Sequence, residues 1–447
     1  MNYRFLFVLL ISLLIKQSVL AQPNKAASVG YTGGIYSRGY MPALMVGSPY
    51  KLDVDFLSTD FTFYTANADN QGSTSYSTSS NFLNQIFETD AERDLLTGQL
   101  AALSGMYAIN EKNAVALNIG LKTSLLKRVS STRLSDILND NLNIDNGTFN
   151  QEFTTVASNT WFQIGGTYAR EIYSNDKFKN RTSVSANLIS GLASAKIEIG
   201  KLSGTIDDGT ISDLDAEINI VFNDNMDPLI EGGDIEFDLF SKVGYSFSFS
   251  TVFTFYDSPG NNSPGKYKYE IGASIMNLGK VKYTTSNNSI SIIASGDLLD
   301  LDDLGDIDNI EEFVDSLASQ LNADENIPKT YSIRMPQRLF LYFDYNFGHH
   351  FYASLIPSFL FENAMTELAD NFPTYDILFV PRYEKNNWKV ILPIAYNKFS
   401  KLEVGTGFSW RYINIGSDNV FSVAFNNSQV KSINIYFGLR FNLMAKN

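Results

Sequence analysis

The stretch SINIYFGLRFNL, residues 432–443, decides the fold. Its odd-numbered positions are all apolar, and its even-numbered positions are polar, small or amphipathic. This period of two over the whole stretch predicts a β-strand with two unlike faces, because a helix would not separate the residues in this way. One face must meet apolar surroundings, while the face that carries Arg440 and two asparagines must meet water or a polar lumen. The pattern fits a strand of a transmembrane barrel and, equally well, a strand of a soluble β-sandwich.

The connections between strands distinguish these two folds. Alternating segments continue from Lys51 to the C-terminus, and they can be counted as fourteen strands, an even number that brings both ends of a barrel to one side. Short turns fall at every second connection, whereas the long links fall at the others. Outer-membrane barrels have this asymmetry, and a soluble sandwich has no reason to keep its long links on one side. The sequence therefore predicts an all-β fold, a transmembrane antiparallel barrel of about fourteen strands, with short helices in the external loops.

Two details of the strand assignment are open to test. The alternation from Ile235 to Tyr256 exceeds the ~9–11 residues that a bilayer-crossing strand needs, so it is either one long strand or two strands with a hidden turn. Near the C-terminus we expect strands at Leu402–Ile415 and Val420–Phe425, joined by a turn at Gly416–Asp418.

The N-terminus predicts export from the cytoplasm. Arg4 precedes the apolar run Phe5–Ile15, and small residues lead to Ala21, which is the pattern of a cleavable signal peptide over residues 1–21. The run is too short to cross a bilayer as a helix, which needs ~20 residues. Residues 22–50 show no steady period, so we expect an extended segment that can plug the lumen of a barrel formed by residues 51–447. We expect the mature protein in the cell outer membrane, with outer-membrane lipid as a partner.

Composition excludes several classes of function. The chain has no cysteine, and its net charge of -14 would repel the phosphates of nucleic acid. The only histidines, His349 and His350, are adjacent in a tight turn, and neighbouring residues point to opposite faces. Zinc chemistry and serine–histidine chemistry therefore lack their usual parts. We expect no enzyme activity and no cofactor.

An acidic stretch has the spacing of a calcium-binding loop. Its oxygen ligands would be Asp300, Asp302, Asp306, Asp308 and Glu311. Leu304, however, occupies a position where an oxygen ligand is required, and the apolar residues that follow have the spacing of an amphipathic helix. A solvated acidic loop that caps this helix is the alternative, and the missing ligand favours it.

Barrel closure requires the last strand to pair with the first. The alternation places Arg440, Asp53 and Asp55 on the lumen side near the periplasmic rim. We therefore expect Arg440 to pair with one of the two carboxylates. In a wet lumen such a pair contributes only ~0–1 kcal/mol, so its role would be to set the register.

Apolar residues interrupt the polar inward face on three consecutive strands. They are Phe340, Tyr342, Ile356, Leu360, Leu378 and Val380. A channel for an apolar solute needs such a recess, because burial of the solute is worth ~25 cal/mol per Å². Alternatively the patch packs against the N-terminal segment, with Tyr31, Ile35, Tyr36 and Met41 filling the bore.

Four short phrases carry a family resemblance: Tyr40–Leu44, Leu188–Ala193, Gly272–Gly279 and Met335-Pro336. They resemble an uncharacterised family of Bacteroidetes outer-membrane barrels that is distantly akin to the FadL-type fatty-acid channels. Such barrels usually carry Asn-Pro-Ala near the N-terminus, whereas this chain has Met41-Pro42-Ala43, so any role of that motif is not carried over. The resemblance implies a fourteen-stranded barrel that passively transports or binds a small apolar solute, by analogy of fold. The alternative is a non-transporting envelope barrel that docks partner proteins of a secretion, gliding or cell-surface assembly.

Overall fold

The structure is a computed structural model in which strands account for most of the described residues. The described residues are 25–65, 93–129, 147–151, 154–207, 210–227, 243–257, 264–300, 318–321, 327–361, 375–385, 388–397, 401–425 and 432–444. The signal-peptide prediction for residues 1–21 lies outside these ranges.

Twenty strands and two short α-helices are present in the described part of the chain, together with 3-10 helices at Gly34–Gly39, Pro42–Met45 and Asp224–Met226. The strands are β1 (Tyr50–Thr65), β2 (Arg93–Asn110), β3 (Asn113–Val129), β4 (Gly147–Gln151), β5 (Thr154–Ser174), β6 (Phe178–Asp207), β7 (Thr210–Phe222), β8 (Val243–Phe255), β9 (Tyr269–Thr284), β10 (Ile290–Asp300), β11 (Thr330–Arg334), β12 (Arg338–Gly348), β13 (Phe351–Leu360), β14 (Tyr375–Lys385), β15 (Trp388–Ile391), β16 (Ile394–Asn397), β17 (Lys401–Val404), β18 (Thr406–Trp410), β19 (Ile413–Ser417) and β20 (Ser432–Met444). The helices are α1 (Lys25–Ser28) and α2 (Val420–Phe425). No helix in the described ranges is long and apolar enough to cross a membrane.

One antiparallel sheet closes into a barrel through the pairing of β1 with β20. Two barrel strands are interrupted, so that β15 with β16 and β17 with β18 each count as one, and the closed wall has fourteen strands. The wall order is β1, β2, β3, β5, β6, β8, β9, β12, β13, β14, β15/β16, β17/β18, β19 and β20. The two-residue turns after β2, β12 and β18 lie at one end, the short-turn end; the opposite end is the long-connection end. The predicted fold class is confirmed.

The two faces of the wall differ as the alternation requires. Along β20, Ile435 is 56% exposed on the outside, whereas the neighbouring Tyr436 is fully buried inside. Large apolar side chains face outward on every barrel strand with a described pattern, and the inner face carries serines, asparagines and charged residues. The barrel therefore presents an apolar exterior around a polar lumen, which suits surrounding hydrocarbon.

Part of the sheet continues beyond the barrel at the long-connection end. The long strand β6 extends past the start of β8 and there pairs with β4 on one side and β7 on the other. β10 pairs with β7, which makes a four-stranded extension in the order β4–β6–β7–β10. Ile220 and Ile292 are buried on one face of this extension.

Two C-terminal assignments were wrong, although the total of fourteen was right. The predicted strand Leu402–Ile415 contains a turn at Arg411-Tyr412, and β19 follows it. The sequence carries the signal, because the outward apolar positions change there from even to odd numbers, as a two-residue turn demands. The predicted strand Val420–Phe425 is helix α2, whose Val423 amide donates to the Asn419 carbonyl at 3.0 Å.

The question of one strand or two at Ile235–Tyr256 is answered only in part. β8 runs unbroken through Val243–Phe255. Residues 235–242 of the predicted strand lie outside the described residues.

Candidate functional site

The lumen is filled at its short-turn end by the N-terminal segment, here defined as Lys25–Ser48. Helix α1 and the first two 3-10 helices belong to it, and most of its residues are buried. Its contacts reach the inner faces of strands on all sides of the barrel, including β1, β6, β8, β14 and β20. The segment is therefore the natural place to look for function.

Three buried arginines of the wall hold this segment, and each is paired with a carboxylate. Arg382 on β14 is the most enclosed, with a side chain that is 0% exposed. Its Nη1 and Nη2 donate to the Asp344 carboxylate at 2.7 and 2.8 Å, and its Nε donates to Glu384 Oε2 at 2.9 Å. Glu384 in turn accepts from the Thr32 amide at 2.9 Å. The ion network of β12 and β14 thus ends on the backbone of the segment.

Arg440 makes the second of these contacts, at the seam of the barrel. Its Nε and Nη2 donate to Asp53 Oδ1 and Oδ2 at 2.5 and 2.6 Å, and its Nη1 donates to the Thr32 carbonyl at 3.1 Å. Asp53 also accepts from the Ile35 amide at 2.8 Å. Asp55, the other predicted carboxylate, accepts instead from the Tyr36 and Ser58 hydroxyls.

The sequence led us to expect the Arg440–Asp53 pair in a wet lumen, but the structure buries it. Both side chains are less than a tenth exposed, because the N-terminal segment lies directly over them. The two-pronged geometry and the burial make this contact part of the structure that holds the segment, in addition to setting the register.

The third arginine, Arg181 on β6, pairs with Glu270 on β9 and donates through Nη1 to the Val46 carbonyl at 2.6 Å. A buried lysine, Lys389 on β15, contacts the carbonyls of Ala27 and Val29. Together the four cations fasten both ends of the segment to four separate strands.

Glycines allow the backbone of the segment to approach the arginines. Gly30, Gly34 and Gly47 all have positive φ, and a Cβ at each would overlap the side chains of Arg382, Arg440 and Arg181 respectively. At Gly34 the overlap would include the Asp53 carboxylate as well. The pattern shows that the segment and the wall are fitted to each other residue by residue.

Apolar packing joins the segment to the opposite wall. Five of the six predicted patch residues share one buried cluster with the segment: Phe340, Tyr342, Ile356, Leu378 and Val380. The Tyr40 ring lies 6.4 Å from that of Phe340 and 6.0 Å from that of Tyr342, in edge-on geometry. Leu360 is buried but lies outside this cluster. The arrangement matches the alternative in which the patch packs against the N-terminal segment.

The other residues of that alternative are also placed. Met41 belongs to the same cluster, whereas Ile35 and Tyr36 pack with Met106 in a second one. Tyr31 lies against Tyr352, with ring centroids 5.9 Å apart. Burial raises the pKa of the Tyr36 and Tyr40 hydroxyls well above the usual value, so both side chains stay neutral.

The remaining candidates are not brought together. Asp300 is the exposed last residue of β10, where its amide donates to Gln320 Oε1 at 2.8 Å, and the other calcium candidates lie outside the described residues. His349 and His350 form the β12–β13 turn, both with positive φ. No group of His, Asp or Glu residues in the described ranges could hold a metal ion.

Sequence reasoning missed the residues that matter most to this site: Arg181, Glu270, Asp344, Arg382, Glu384 and Lys389. A signal for them exists, because each is a charged residue at an inward position of an alternating strand. The sequence does not show which cation pairs with which carboxylate, because most of the partners lie on different strands and contact the segment as well.

Comparison with known proteins places the chain in a family. Similar solved structures include the toluene transporter TbuX of Ralstonia pickettii, at 10% identity and a TM-score of 0.46, covering 96% of this chain and 100% of that chain. The toluene transporter TodX of Pseudomonas putida matches at 10% identity and a TM-score of 0.44, covering 95% of this chain and 96% of that chain. A FadL homologue of Pseudomonas aeruginosa matches at 10% identity and a TM-score of 0.42, covering 95% of this chain and 97% of that chain.

Likeness at these identities and TM-scores carries no argument about activity. No curated protein sequence matches the chain. Residues 42–418 match the profile of a family of unknown function, DUF5723. This match covers most of the barrel and the last seven residues of the N-terminal segment, and the chain therefore belongs to the DUF5723 family.

Proposed function

We propose that the protein is an outer-membrane barrel that passively transports or binds small apolar solutes, and that the N-terminal segment gates its lumen. The cleaved signal peptide, the outer-membrane location and the Bacteroidetes origin are parts of the same proposal. Toluene, the solute in the names of two similar structures, is of this chemical class.

The observation that carries the proposal is an apolar surface inside a polar lumen, covered by a segment that is not part of the wall. Phe340, Ile356 and Val380 are at most 1% exposed, and they share one buried cluster with Tyr40 and Met41 of the segment. Within the described residues, no backbone hydrogen bond joins the segment to a strand. Displacement of the segment would therefore break no sheet pairing, and it would expose a recess in which an apolar solute gains burial.

A second buried apolar cluster lies beyond the segment. Trp161, Ile189, Val281, Tyr283 and Met335 form a buried cluster where β5, β6 and β9 approach one another toward the long-connection end. We call this the Trp161 cluster.

The second candidate function is a docking barrel without transport. The filled bore favours it, because a sealed lumen is what a docking barrel needs. The sheet extension beyond the barrel adds an exposed apolar residue, Ile293, which is 76% exposed on β10.

A reversible lock on the segment separates the two functions. The chain has no cysteine, so a disulfide between Ala43→Cys and Ser250→Cys would be the only one; the Ala43 amide lies 2.8 Å from Ser250 Oγ. Uptake of the neutral apolar dye N-phenyl-1-naphthylamine is measured in cells that carry the protein in an outer membrane. The reduced protein should admit the dye and the oxidised protein should not, because only the reduced segment can move.

The controls are the Ser250→Cys single variant, which should admit dye in both redox states, and cells without the protein. Leu378→Arg adds a charge to the covered patch and should slow uptake. Leu360→Arg should slow uptake less, because Leu360 lies outside the cluster that contacts the segment. Uptake no faster than in cells without the protein would reject transport and leave docking as the function. Equal uptake by the oxidised and reduced protein would reject the gate.

A further inference from the structure

A small cavity lies at the short-turn end, between the N-terminal segment and the wall strands β15, β18, β19 and β20. It has a volume of about 20 Å³ and is partly open to solvent. A space that holds one water molecule needs ~10–15 Å³, so this one takes a single water molecule or a single monatomic ion and nothing larger. We call it the rim cavity, and its polar lining includes Thr32, Lys389, Ser409, Asn414, Arg440 and Asn442.

The strand register fixes the wall side of the rim cavity. Lys389 on β15 is directly opposite Ser409 on β18, and Ser409 is directly opposite Asn414 on β19. Arg440 on β20 is a diagonal neighbour of Asn414, because the residue opposite Asn414 is Gly438. Facing residues have Cβ atoms ~4.5–5.5 Å apart and diagonal neighbours ~7–8 Å, so the long side chains of Lys389 and Arg440 reach the space beside Asn414. The sheet, rather than a loop, therefore builds the cavity.

Asn414 carries a donor that no described residue accepts. The side chain is 2% exposed, its Oδ1 accepts from Ser409 Oγ at 2.7 Å, and its Nδ2 is buried without a hydrogen bond. A buried donor without an acceptor is unfavourable, and folded proteins rarely leave one. The other amide of the lining, Asn442, differs because its Nδ2 donates to the Arg411 carbonyl at 2.7 Å. The unpaired Asn414 donor therefore indicates a ligand in the rim cavity.

Two cations in the lining also keep donors that no described residue accepts. Lys389 Nζ carries three protons and donates to two carbonyls of the N-terminal segment. The Arg440 guanidinium has five donors, of which two go to Asp53 and one goes to the Thr32 carbonyl. One proton on Lys389 and two on Arg440 therefore remain for a ligand.

The charge of the lining has one sign. Lys389 and Arg440 are basic, and no Asp or Glu among the described residues lines the cavity. Asp53 is paired with Arg440, but it lies outside the lining. A water molecule accepts from at most two of the donors and needs acceptors for its own two protons. An anion accepts from all of the donors and offsets the positive charge.

We propose that the rim cavity binds one monatomic anion of chloride size, held by Asn414 Nδ2, Lys389 Nζ and Arg440. The volume leaves no room for an organic body, so the ligand is an inorganic ion rather than a transported solute. Because Thr32 of the N-terminal segment also lines the cavity, the bound ion stabilises the segment in its place against the wall. The proposal goes beyond the proposed function, since it concerns what holds the segment and not what passes through the bore.

Bromide, which scatters X-rays anomalously, tests the proposal in two ways. In crystals of the whole mature protein grown in sodium bromide, we expect an anomalous difference peak in the rim cavity, within hydrogen-bond distance of Asn414 Nδ2. In solution, trypsin cleavage after Arg38 of the N-terminal segment reports displacement of the segment. The cleavage rate is compared in sodium bromide and in sodium gluconate at equal concentration, because gluconate is too large for the cavity. Cleavage should be about fivefold slower in bromide.

Two variants assign the effect to the rim cavity. Asn414→Asp places a fixed carboxylate where the ion would bind, so we expect no bromide peak and equal cleavage rates in the two salts. Asn175→Asp, in the exposed turn between β5 and β6, adds the same charge far from the cavity and is the control. It should keep both the peak and the fivefold difference, which also excludes a direct effect of bromide on trypsin as the cause.

Three outcomes would overturn the proposal. The first is the absence of an anomalous peak in the wild-type cavity, a result that needs no variant and so does not depend on the folding of Asn414→Asp. The second is a peak without slower cleavage in bromide, which would mean an adventitious ion only. The third is a fivefold difference that persists in Asn414→Asp, which would place the effect elsewhere. Dye uptake by the disulfide-locked protein is measured separately, so the proposed function stands or fails independently.

Discussion

At the short-turn end of the lumen, Arg382 makes five hydrogen bonds and is fully enclosed. Beyond the N-terminal segment, Lys122 on the same inner surface makes none to any described residue. The two cations lie in one barrel, on inward positions of similar strands. What differs is the surroundings, because strands β12 and β14 supply carboxylates to Arg382, whereas β2 and β5 place Gln99 and Trp161 beside Lys122.

This difference separates a charge that is fixed by partners from a charge that has none among the described residues. A buried arginine whose every donor is occupied is held in one position, and removal of either partner leaves an uncompensated charge. A cation without an ion-pair partner gains no such stabilisation from the fold, so its removal should cost little. The comparison makes four predictions, each for the free energy of unfolding in urea, with the folded fraction read from the gel mobility of unheated samples in detergent.

The largest effect is expected for Arg382→Met. The change leaves Asp344 and Glu384 buried without their cation, which costs ~3–5 kcal/mol. Arg411→Met, in the exposed β18–β19 turn, is the control and should stay within ~0.5 kcal/mol of wild type. Equal losses in the two variants would contradict the view that Arg382 is structural.

Gly34→Ala should give the next largest loss. The new Cβ would overlap Asp53 and Arg440, in addition to the strain of a left-handed residue. Gly348→Ala is the matched control, because Gly348 also has positive φ but has open space around it. We expect Gly348→Ala to lose ~1–2 kcal/mol and Gly34→Ala to lose clearly more.

The same pair of variants reports on the position of the segment. Trypsin should cleave after Arg38 in Gly34→Ala, where the segment is displaced, and should spare this bond in Gly348→Ala. Similar stability and similar cleavage in both variants would show that Asp53 and Arg440 do not hold the segment at Gly34.

A smaller loss is expected for Tyr267→Phe. The Tyr267 hydroxyl donates to Asp344 and accepts from Arg382 Nη2 at 3.1 Å, so the change removes two contacts but leaves the ion pair in place. The expected cost is ~1–2 kcal/mol. Tyr245→Phe, on the outer face of β8, should cost almost nothing. If Tyr267→Phe also costs nothing, the hydroxyl is not part of the network.

The smallest effect is expected for Lys122→Met, the same replacement that is most damaging at position 382. Loss of an unpaired charge beside Arg38 should leave stability unchanged or raise it by up to ~1 kcal/mol. If Lys122→Met lowers the free energy of unfolding by more than ~2 kcal/mol, Lys122 has a structural partner and the difference between the two regions does not hold.

The sequence predicted the architecture well because barrel strands obey a local rule. Each side chain must face either hydrocarbon or lumen, so alternation over ten residues reports the fold without knowledge of neighbours. The rule failed at Val420–Phe425, where six apolar-rich residues formed helix α2 rather than a strand. Such a short run is ambiguous, since periodicity needs length to distinguish a strand from a helix.

The sequence by itself determined the closed antiparallel barrel, its fourteen strands and the inward position of Arg440, Asp53 and the apolar patch, because these follow from period and parity. Only the tertiary structure decided that Arg440 pairs with Asp53 rather than Asp55 and that the N-terminal segment covers the patch. It also decided that Lys122 has no ion-pair partner among the residues that the structure describes. Those outcomes depend on contacts between strands far apart in the chain and on a segment with no periodic pattern. Pairing of buried charges is set by geometry across the lumen, and no local rule in a sequence encodes that geometry.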